Sequence, residues 1–218
     1  MSSEGQLIVI SGPSGSGKSS LVDLLLRRNP SLRRSISATT RRPRRGERDG
    51  VDYHFMSVER FKEGMERGEF LEWAIYNGNY YGTPRKRVDE AISRGEDILL
   101  TIEVQGAAQI RRIYPDALLI FILPPSPESL RGRIKRRGSE SEEEIERRLR
   151  TAQDEISKIE IYDFFVINRE GELEKAVEEV ERIISVGKHR LTRGRIEKIK
   201  RLYRVNHPRP KVEGLRWR

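Results

Sequence analysis

Residues 7 to 19 read Leu7-Ile8-Val9-Ile10-Ser11-Gly12-Pro13-Ser14-Gly15-Ser16-Gly17-Lys18-Ser19, an apolar run followed by the pattern G-x-x-x-x-G-K-S. The apolar run predicts a buried strand, and the glycines predict a turn that wraps tightly around a phosphate. Such a turn aims successive backbone N–H groups inward, and Cβ atoms would obstruct it. Gly12, Gly15 and Gly17 provide that freedom. Lys18 supplies a point charge to β- and γ-phosphates, Ser19 a hydroxyl to Mg²⁺, and a helix starting there, with Ser20 in its first turn, points its N-terminal dipole at the anion. The motif therefore implies a bound nucleoside triphosphate, with Gly12, Pro13, Ser14, Gly15, Ser16, Gly17, Lys18, Ser19 and Ser20 as its contacts.

Outward from this loop, three more short runs read as strands buried on both faces: Ile98 to Ile102, Leu118 to Leu123 and Phe164 to Ile167. Helix signals lie between and after them. Ser126-Pro127-Glu128 offers a cap, a proline at the first helical position and an acid in the first turn. Ser141 to Glu144 has the form of a capping box, followed by Ile145, Leu149, Ala152, Ile156 and Ile159 at steps of three and four. Strands alternating with helices predict an α/β fold of three layers, with a central, mostly parallel sheet covered on both faces. The phosphate loop then lies where such sheets bind ligands, at the carboxyl end of a strand.

Composition bounds the function. The 218 residues suit one domain with small insertions, and the absence of cysteine excludes disulfides, thiolate zinc sites and a cysteine nucleophile. No apolar run of membrane-spanning length and no signal-peptide pattern occurs, so the expectation is a cytoplasmic protein without a membrane partner. The net charge of +9 is concentrated: residues 188 to 218 hold 12 Lys/Arg against 2 Asp/Glu, a net +10, which leaves the other 187 residues at −1. The basicity belongs to a C-terminal extension rather than to the body.

Residues 35 to 83 break the strand–helix rhythm with a segment rich in Arg, Tyr and Gly, too poor in apolar residues to stand alone. It reads as an insertion serving a second ligand. Arg41 and Arg44 flank Pro43, and their forks suit the oxygens of a second phosphate, with Tyr53 and Tyr81 as neutral donors; spacing alone also allows a solvated basic loop. Residues 131 to 150 hold arginines around Gly138 and read as a flap.

Ser37-x-x-x-Arg41-x-x-Arg44-x-Gly46-Glu47, Asp52-Tyr53, Glu69-Phe70-Leu71-Glu72-Trp73, Gly78-Asn79-Tyr80-Tyr81-Gly82-Thr83 and Val104-Gln105-Gly106 together resemble the guanylate kinase family, in order, from about Leu7 to Ile184. The resemblance implies transfer of the γ-phosphoryl group of ATP to GMP, with Mg²⁺. It implies a core of residues 5–34, 84–130 and 151–187, a GMP-binding insertion at 35–83 and a helical lid at 131–150, forming a domain of 1–187 before the extension 188–218. By the same resemblance Arg41, Arg44, Tyr53 and Tyr81 hold the GMP phosphate, while Ser37, Glu72 and Thr83 read guanine and Glu103 lies near its amino group. Guanine's N1–H and N2–H₂ donors match a carboxylate, and adenine's edge does not. Arg133, Arg137 and Arg148 would close over the transferring group with Lys18 and Arg41, competing by spacing with Arg131, Arg136 and Arg147. Asn168 falls either in the adenine pocket or in a plain turn. Thr101 departs from the family, which usually has a carboxylate there to order the waters around Mg²⁺.

Two other readings are a kinase for a different nucleoside monophosphate and a guanylate-kinase-like module that binds phosphopeptides without catalysis. Glu72, Ser37 and Thr83 argue against the first, and the intact phosphate loop against the second. The extension predicts one amphipathic helix on Leu191, Ile196, Ile199, Leu202, Tyr203 and Val205, ended by Pro208 and Pro210. It reads either as a solvated helix packed on the body or on a second subunit of a homo-oligomer, or as an electrostatic contact with RNA, DNA or an acidic partner.

Overall fold

Every side chain of β1 (Leu7–Ser11) is buried, which places it inside a sheet rather than at its edge. The computed structural model describes residues 5–76, 78–136 and 141–205. Along the chain follow α1 (Lys18–Arg28), β2 (Arg33–Arg34), β3 (Ala38–Thr39), β4 (His54–Phe55), α2 (Val58–Glu66), β5 (Phe70–Tyr76), β6 (Asn79–Pro84) and α3 (Arg85–Ser93). Then come β7 (Ile98–Thr101), α4 (Val104–Ile113), β8 (Leu118–Leu123), α5 (Pro127–Arg136), α6 (Glu142–Ile156), β9 (Phe164–Ile167), α7 (Leu173–Gly187) and α8 (Arg193–Leu202).

The main sheet has the order β2-β7-β1-β8-β9, and all of its pairings are parallel. Alternate residues of β1 serve opposite cores. Ile8 and Ile10 pack with Leu21 and Leu25 of α1 and Val177 and Val180 of α7. Leu7 and Val9 pack with Val88 of α3 and Ala107 and Ile110 of α4 on the other face. Helices thus cover both faces, and the near-continuous apolar strands are what a sheet buried on two sides requires.

The expectation of burial on both faces fails for Phe164 to Ile167: Phe164 and Phe165 are exposed. β9 is the last strand of the sheet, and only Val166 joins the core beside α7. Position at a sheet edge is a property of the whole topology, which a local apolar run does not encode.

The segment between β2 and α3 has a second sheet of order β4-β3-β6-β5 and a small aromatic core. Phe61 of α2 stacks on Phe70 with ring centroids 4.3 Å apart, and Ala38, Met56, Met65 and Tyr80 pack around them. Pairing of β5 with β6 slips between Phe70 and Glu72. This bulge lets Phe70 face the aromatic core while Glu72, two residues on, faces the opposite side of the sheet.

α5 and α6 form a helical hairpin held by Leu130, Ile134, Ile145 and Ala152. The predicted capping box is present: Ser141 Oγ accepts from Glu144 N–H, and the Glu144 carboxylate accepts from Ser141 N–H at 3.0 Å. The apolar stripe does not run to Ile159 as one helix; α6 ends at Ile156, and Ile159–Ile161 is a separate 3-10 turn.

The extension helix is shorter than the stripe from Leu191 to Val205 suggests, with α8 spanning ten residues and burying none of them. Thr192 caps it, and Asp116 accepts from Arg193 and Gly194 N–H. Ion pairs Lys188–Asp97 (2.7 Å) and Arg190–Asp163 (2.8 Å) tie its approach to the body. Leu191, Leu202 and Tyr203 remain exposed, so polar contacts rather than the apolar stripe attach it. Pro208 and Pro210 lie outside the described residues. Among the described residues no helix is long and apolar enough to cross a membrane.

Candidate functional site

The phosphate loop joins β1 to α1 at the carboxyl end of the main sheet. Gly12, Gly15 and Gly17 all have positive φ, and Gly17 enters α1 in the left-handed region with no side chain capping the helix. The first-turn amides of α1 are therefore left for an anion. A Cβ on Gly12 would lie 2.2 Å from the Ile122 carbonyl oxygen, and one on Gly17 would lie 2.2 Å from Asn168 Nδ2. Lys18 Nζ curls back to donate to the carbonyls of Gly12 and Pro13.

Long-range contacts hold this loop. Asn168, buried after β9, donates to the Ser16 carbonyl at 2.9 Å. Arg133 of α5 forks onto the carbonyls of Ser16 (3.1 Å) and Asn168 (2.7 Å). Arg148 of α6 donates to Ser14 Oγ at 2.7 Å. Asn168 thus bonds the loop and also lines a cavity beside Gly15, Gly17 and Ser20.

The competing arginines separate by whether they reach the phosphate loop, although Glu170 also lies 3.8 Å from Arg133. Arg131 is paired with Glu142 and Glu146 inside the helical hairpin, and Arg136 with Glu170 at 2.7 Å. Arg133 and Arg148 face the phosphate loop. Arg137 lies outside the described residues.

A second cavity opens between the two sheets. It is lined by Ser37, Arg41, Arg44, Tyr53, Glu72, Tyr81 and Glu103, together with Tyr76 and Thr101. Thr83 stands behind this wall, opposite Glu72 in the β5–β6 register, and its hydroxyl donates to the Glu72 carboxylate at 2.6 Å. Strand alternation explains the paired tyrosines. Tyr81 turns to the cavity beside Tyr53, with centroids 6.0 Å apart, and Tyr80 turns to Phe61.

Glu72 is 4% exposed. Burial pushes its carboxyl up to about 7 and the charge of Glu103 adds to this, against the hydrogen bonds from Thr83. The glycine of Val104-Gln105-Gly106 makes that burial possible, because a Cβ at Gly106 would sit 2.2 Å from Glu72 Oε2. Burial likewise raises Tyr53, which keeps its phenol a neutral donor.

Glu47, part of the quoted motif but assigned no role from sequence, orders the arginine loop. Its carboxylate binds the Arg41 guanidinium at 2.9 Å and accepts from Arg44 N–H at 2.7 Å. The Arg41 bond holds Glu47 below the usual carboxylate range, and the same bond raises Arg41. Arg41 also lies 5.5 Å from the centre of the Tyr53 ring. The spacing of one acid six residues after an arginine was the available signal.

Between the cavities, Ser11 Oγ donates to the Ile102 carbonyl at 2.7 Å and ties the ends of β1 and β7 together. Thr101 Oγ1, Glu103 Oε2 and Ser16 Oγ are buried with no hydrogen-bond partner. Glu155 of α6, which sequence reasoning missed, lies within hydrogen-bonding reach of Glu103 and of Ser14 N–H. Its partners are more than fifty residues away, so no local pattern marks it.

A parallel three-layer sheet with an intact phosphate loop, facing an inserted pocket of arginines, tyrosines and a buried acid, defines a P-loop nucleotide-binding protein with a second anionic ligand. The family model for guanylate kinase matches residues 4–186. The guanylate kinase of Clostridioides difficile is 47% identical over 200 residues, covering 90% of this chain and 97% of that protein. That of Prochlorococcus marinus is 50% identical over 179 residues, covering 82% and 96%. The crystal structure of guanylate kinase from Anaplasma phagocytophilum superposes with a TM-score of 0.74 at 31% identity, over 92% of this chain and 96% of that one. The chain belongs to the guanylate kinase family.

Proposed function

We infer that this protein transfers the γ-phosphoryl group of ATP to GMP, giving ADP and GDP, in the cytoplasm. The observation that carries the reading is the buried Glu72, held by Thr83 at the base of the cavity, with Arg41, Arg44, Tyr53 and Tyr81 on the same cavity. A purine monophosphate fits that order of groups: the carboxylate accepts from guanine N1–H and N2–H₂, Ser37 supplies a hydroxyl to the base, and the arginines and tyrosines take the phosphate. AMP would leave Glu72 facing an acceptor, which disfavours it.

The acceptor phosphate is already an anionic oxygen nucleophile, so no general base is required, and catalysis rests on alignment and charge. Lys18 serves the β- and γ-phosphates, releasing the loop carbonyls it now holds. Arg133 and Arg148 neutralise the transferring group from the helical hairpin, joined by Arg137, and Arg41 screens the acceptor. Closure of the lid, residues 131–150, over the core and the insertion 35–83 excludes water.

The residues fit Mg²⁺. Ser19 is exposed at the start of α1, Thr101 Oγ1 is an orphaned hydroxyl on the neighbouring strand, and among the described residues no group of three His, Cys, Asp or Glu forms a closed metal cage. That suits an ion held by substrate phosphates, water and one hydroxyl. When bound, the ion neutralises charge on the β- and γ-phosphates; Ser19 would hold it, with Thr101 accepting or donating to one of its waters.

The test is ADP release with ATP and Mg²⁺ in the presence of GMP, AMP, CMP, UMP or dTMP. Turnover specific to GMP, lost in Lys18→Ala and weakened in Glu72→Ala, is expected. No turnover with any acceptor would overturn the reading in favour of a binding module.

A further inference from the structure

α6 carries Arg148, Ala152 and Glu155 at steps of four and three, which places them on one face. Ala152 is buried, and the two polar residues reach the same loop residue: Arg148 binds Ser14 Oγ, and Glu155 lies in reach of Ser14 N–H. Glu155 also meets Glu103, and both line a cavity between α6, β5 and the start of α4. Glu103 in turn walls the cavity that holds Glu72. Glu155 therefore touches the helical hairpin's seat on the phosphate loop and, through Glu103, the acceptor pocket.

The facing acids leave Glu103 Oε2 and Glu155 Oε2 buried without a donor. Two acceptors cannot satisfy each other unless a proton lies between them. We propose that Glu155 is a positioning residue, forming with Glu103 a carboxyl pair that shares one proton and seats α6 on the phosphate loop. This rests on the phosphoryl-transfer reading above. Glu155 is held up at about 7 by burial first and by the Glu103 charge and bond, while Lys18 and Ser14 N–H pull the other way. Tyr162 also faces the pair, Glu72 faces Glu103, and Asp154 and Lys158 line the adjoining cavity. Triphosphate entry draws Lys18 away from the pair, removing a cation that favours its ionised form. Deprotonation sets two like charges against each other and lifts α6, with Arg148, off the loop.

A glutamine at position 155 reproduces the protonated acid: its amide donates to Glu103, and its carbonyl accepts from Ser14 N–H. The experiment compares wild type, Glu155→Gln and Glu155→Ala in kcat from about pH 6 to about pH 8, and in melting temperature without nucleotide at both ends of that range. Wild-type kcat is expected to fall across the range. Glu155→Gln should stay within about twofold of the wild-type value at the acid end and lose the fall, and Glu155→Ala should drop about tenfold or more. Folded Glu155 binds its proton more tightly than the unfolded chain does. Its stabilisation is therefore full below the usual carboxylate range and lost as pH rises through about 7. The wild-type melting temperature should fall with pH, and less so in Glu155→Gln.

If Glu155→Gln is as slow as Glu155→Ala, the site needs a charged carboxylate, as a cation would, and the proposal is overturned. An alanine variant indistinguishable from wild type also overturns it. Should the alanine variant not fold, glutamine against wild type decides alone. If wild type has no turnover with GMP, the functional reading has failed, and the melting comparison still tests the pair.

Discussion

Glu72 combines near-complete burial with a task that needs its charge. Without guanine it titrates at about 7, and guanine's two donors favour the ionised form. In the Glu155→Gln background, which removes the opposing titration, the ionised fraction of Glu72, and with it kcat/KM for GMP, should rise about tenfold from about pH 6 to pH 8, while Glu72→Gln added to that background shows a lower and flatter profile. Stability has the opposite sign. The folded value lies above the ordinary one, so Glu72 favours folding below the usual carboxylate range and loses that contribution as pH rises through about 7. Denaturant titrations at pH 5 and pH 8 should show wild type losing up to roughly 3 kcal/mol more than Glu72→Gln. Residues at this scale were legible in sequence where their chemistry is local. Gly12 to Ser19 and Glu72 lie in contiguous strings, whereas Glu155 and the loop-bracing use of Asn168 depend on partners up to 152 residues away.

Among the elements, α5 shows why helical spacing could not sort the arginines. Periodicity groups residues by face without saying which face meets the loop. The structure assigns Arg131 to Glu142 and Glu146, and Arg133 to the carbonyls of Ser16 and Asn168. Arg133→Ala should therefore lower kcat by about a hundredfold, and Arg131→Ala by less than about threefold. Comparable losses in both would mean that the hairpin acts through its fold and not through a guanidinium at the phosphate. The bulge between Phe70 and Glu72 was equally invisible, since strict alternation would put both side chains on one face. Only the packing of Phe70 on Phe61 reveals that the strand changes faces between them.

Across the whole molecule, the alternation of strands and helices was enough to read the layers and the place of the phosphate loop. Strand order was not readable. It makes β9 an edge and leaves Phe164 and Phe165 exposed, because neighbours in a parallel sheet are chosen by tertiary packing. The extension is attached through Lys188, Arg190, Asp116 and Arg195, the last donating to the Gly187 carbonyl at 2.7 Å. Exposed ion pairs contribute about 0 to 1 kcal/mol each, and Lys188–Asp97 and Arg190–Asp163, whose acids are largely buried, lie at or above the top of that range. A chain ending at Gly187 should keep kcat within about twofold and melt only a few degrees lower, about 2–4 °C for each kcal/mol lost. A collapse of activity on truncation would show that the extension supports the site.

Tyr80 and Tyr81 are chemically the same side chain sent to opposite sides of β6, one to a hydrophobic core and one to a ligand. Inheritance of this hairpin is therefore sensitive to parity. Deleting one residue from the start of β6 would turn every later side chain of the strand over, carrying Thr83 away from Glu72, whereas losing two would shorten the strand and keep its faces. The reading frame of the strand can therefore change only in steps of two without exchanging the roles of the two tyrosines.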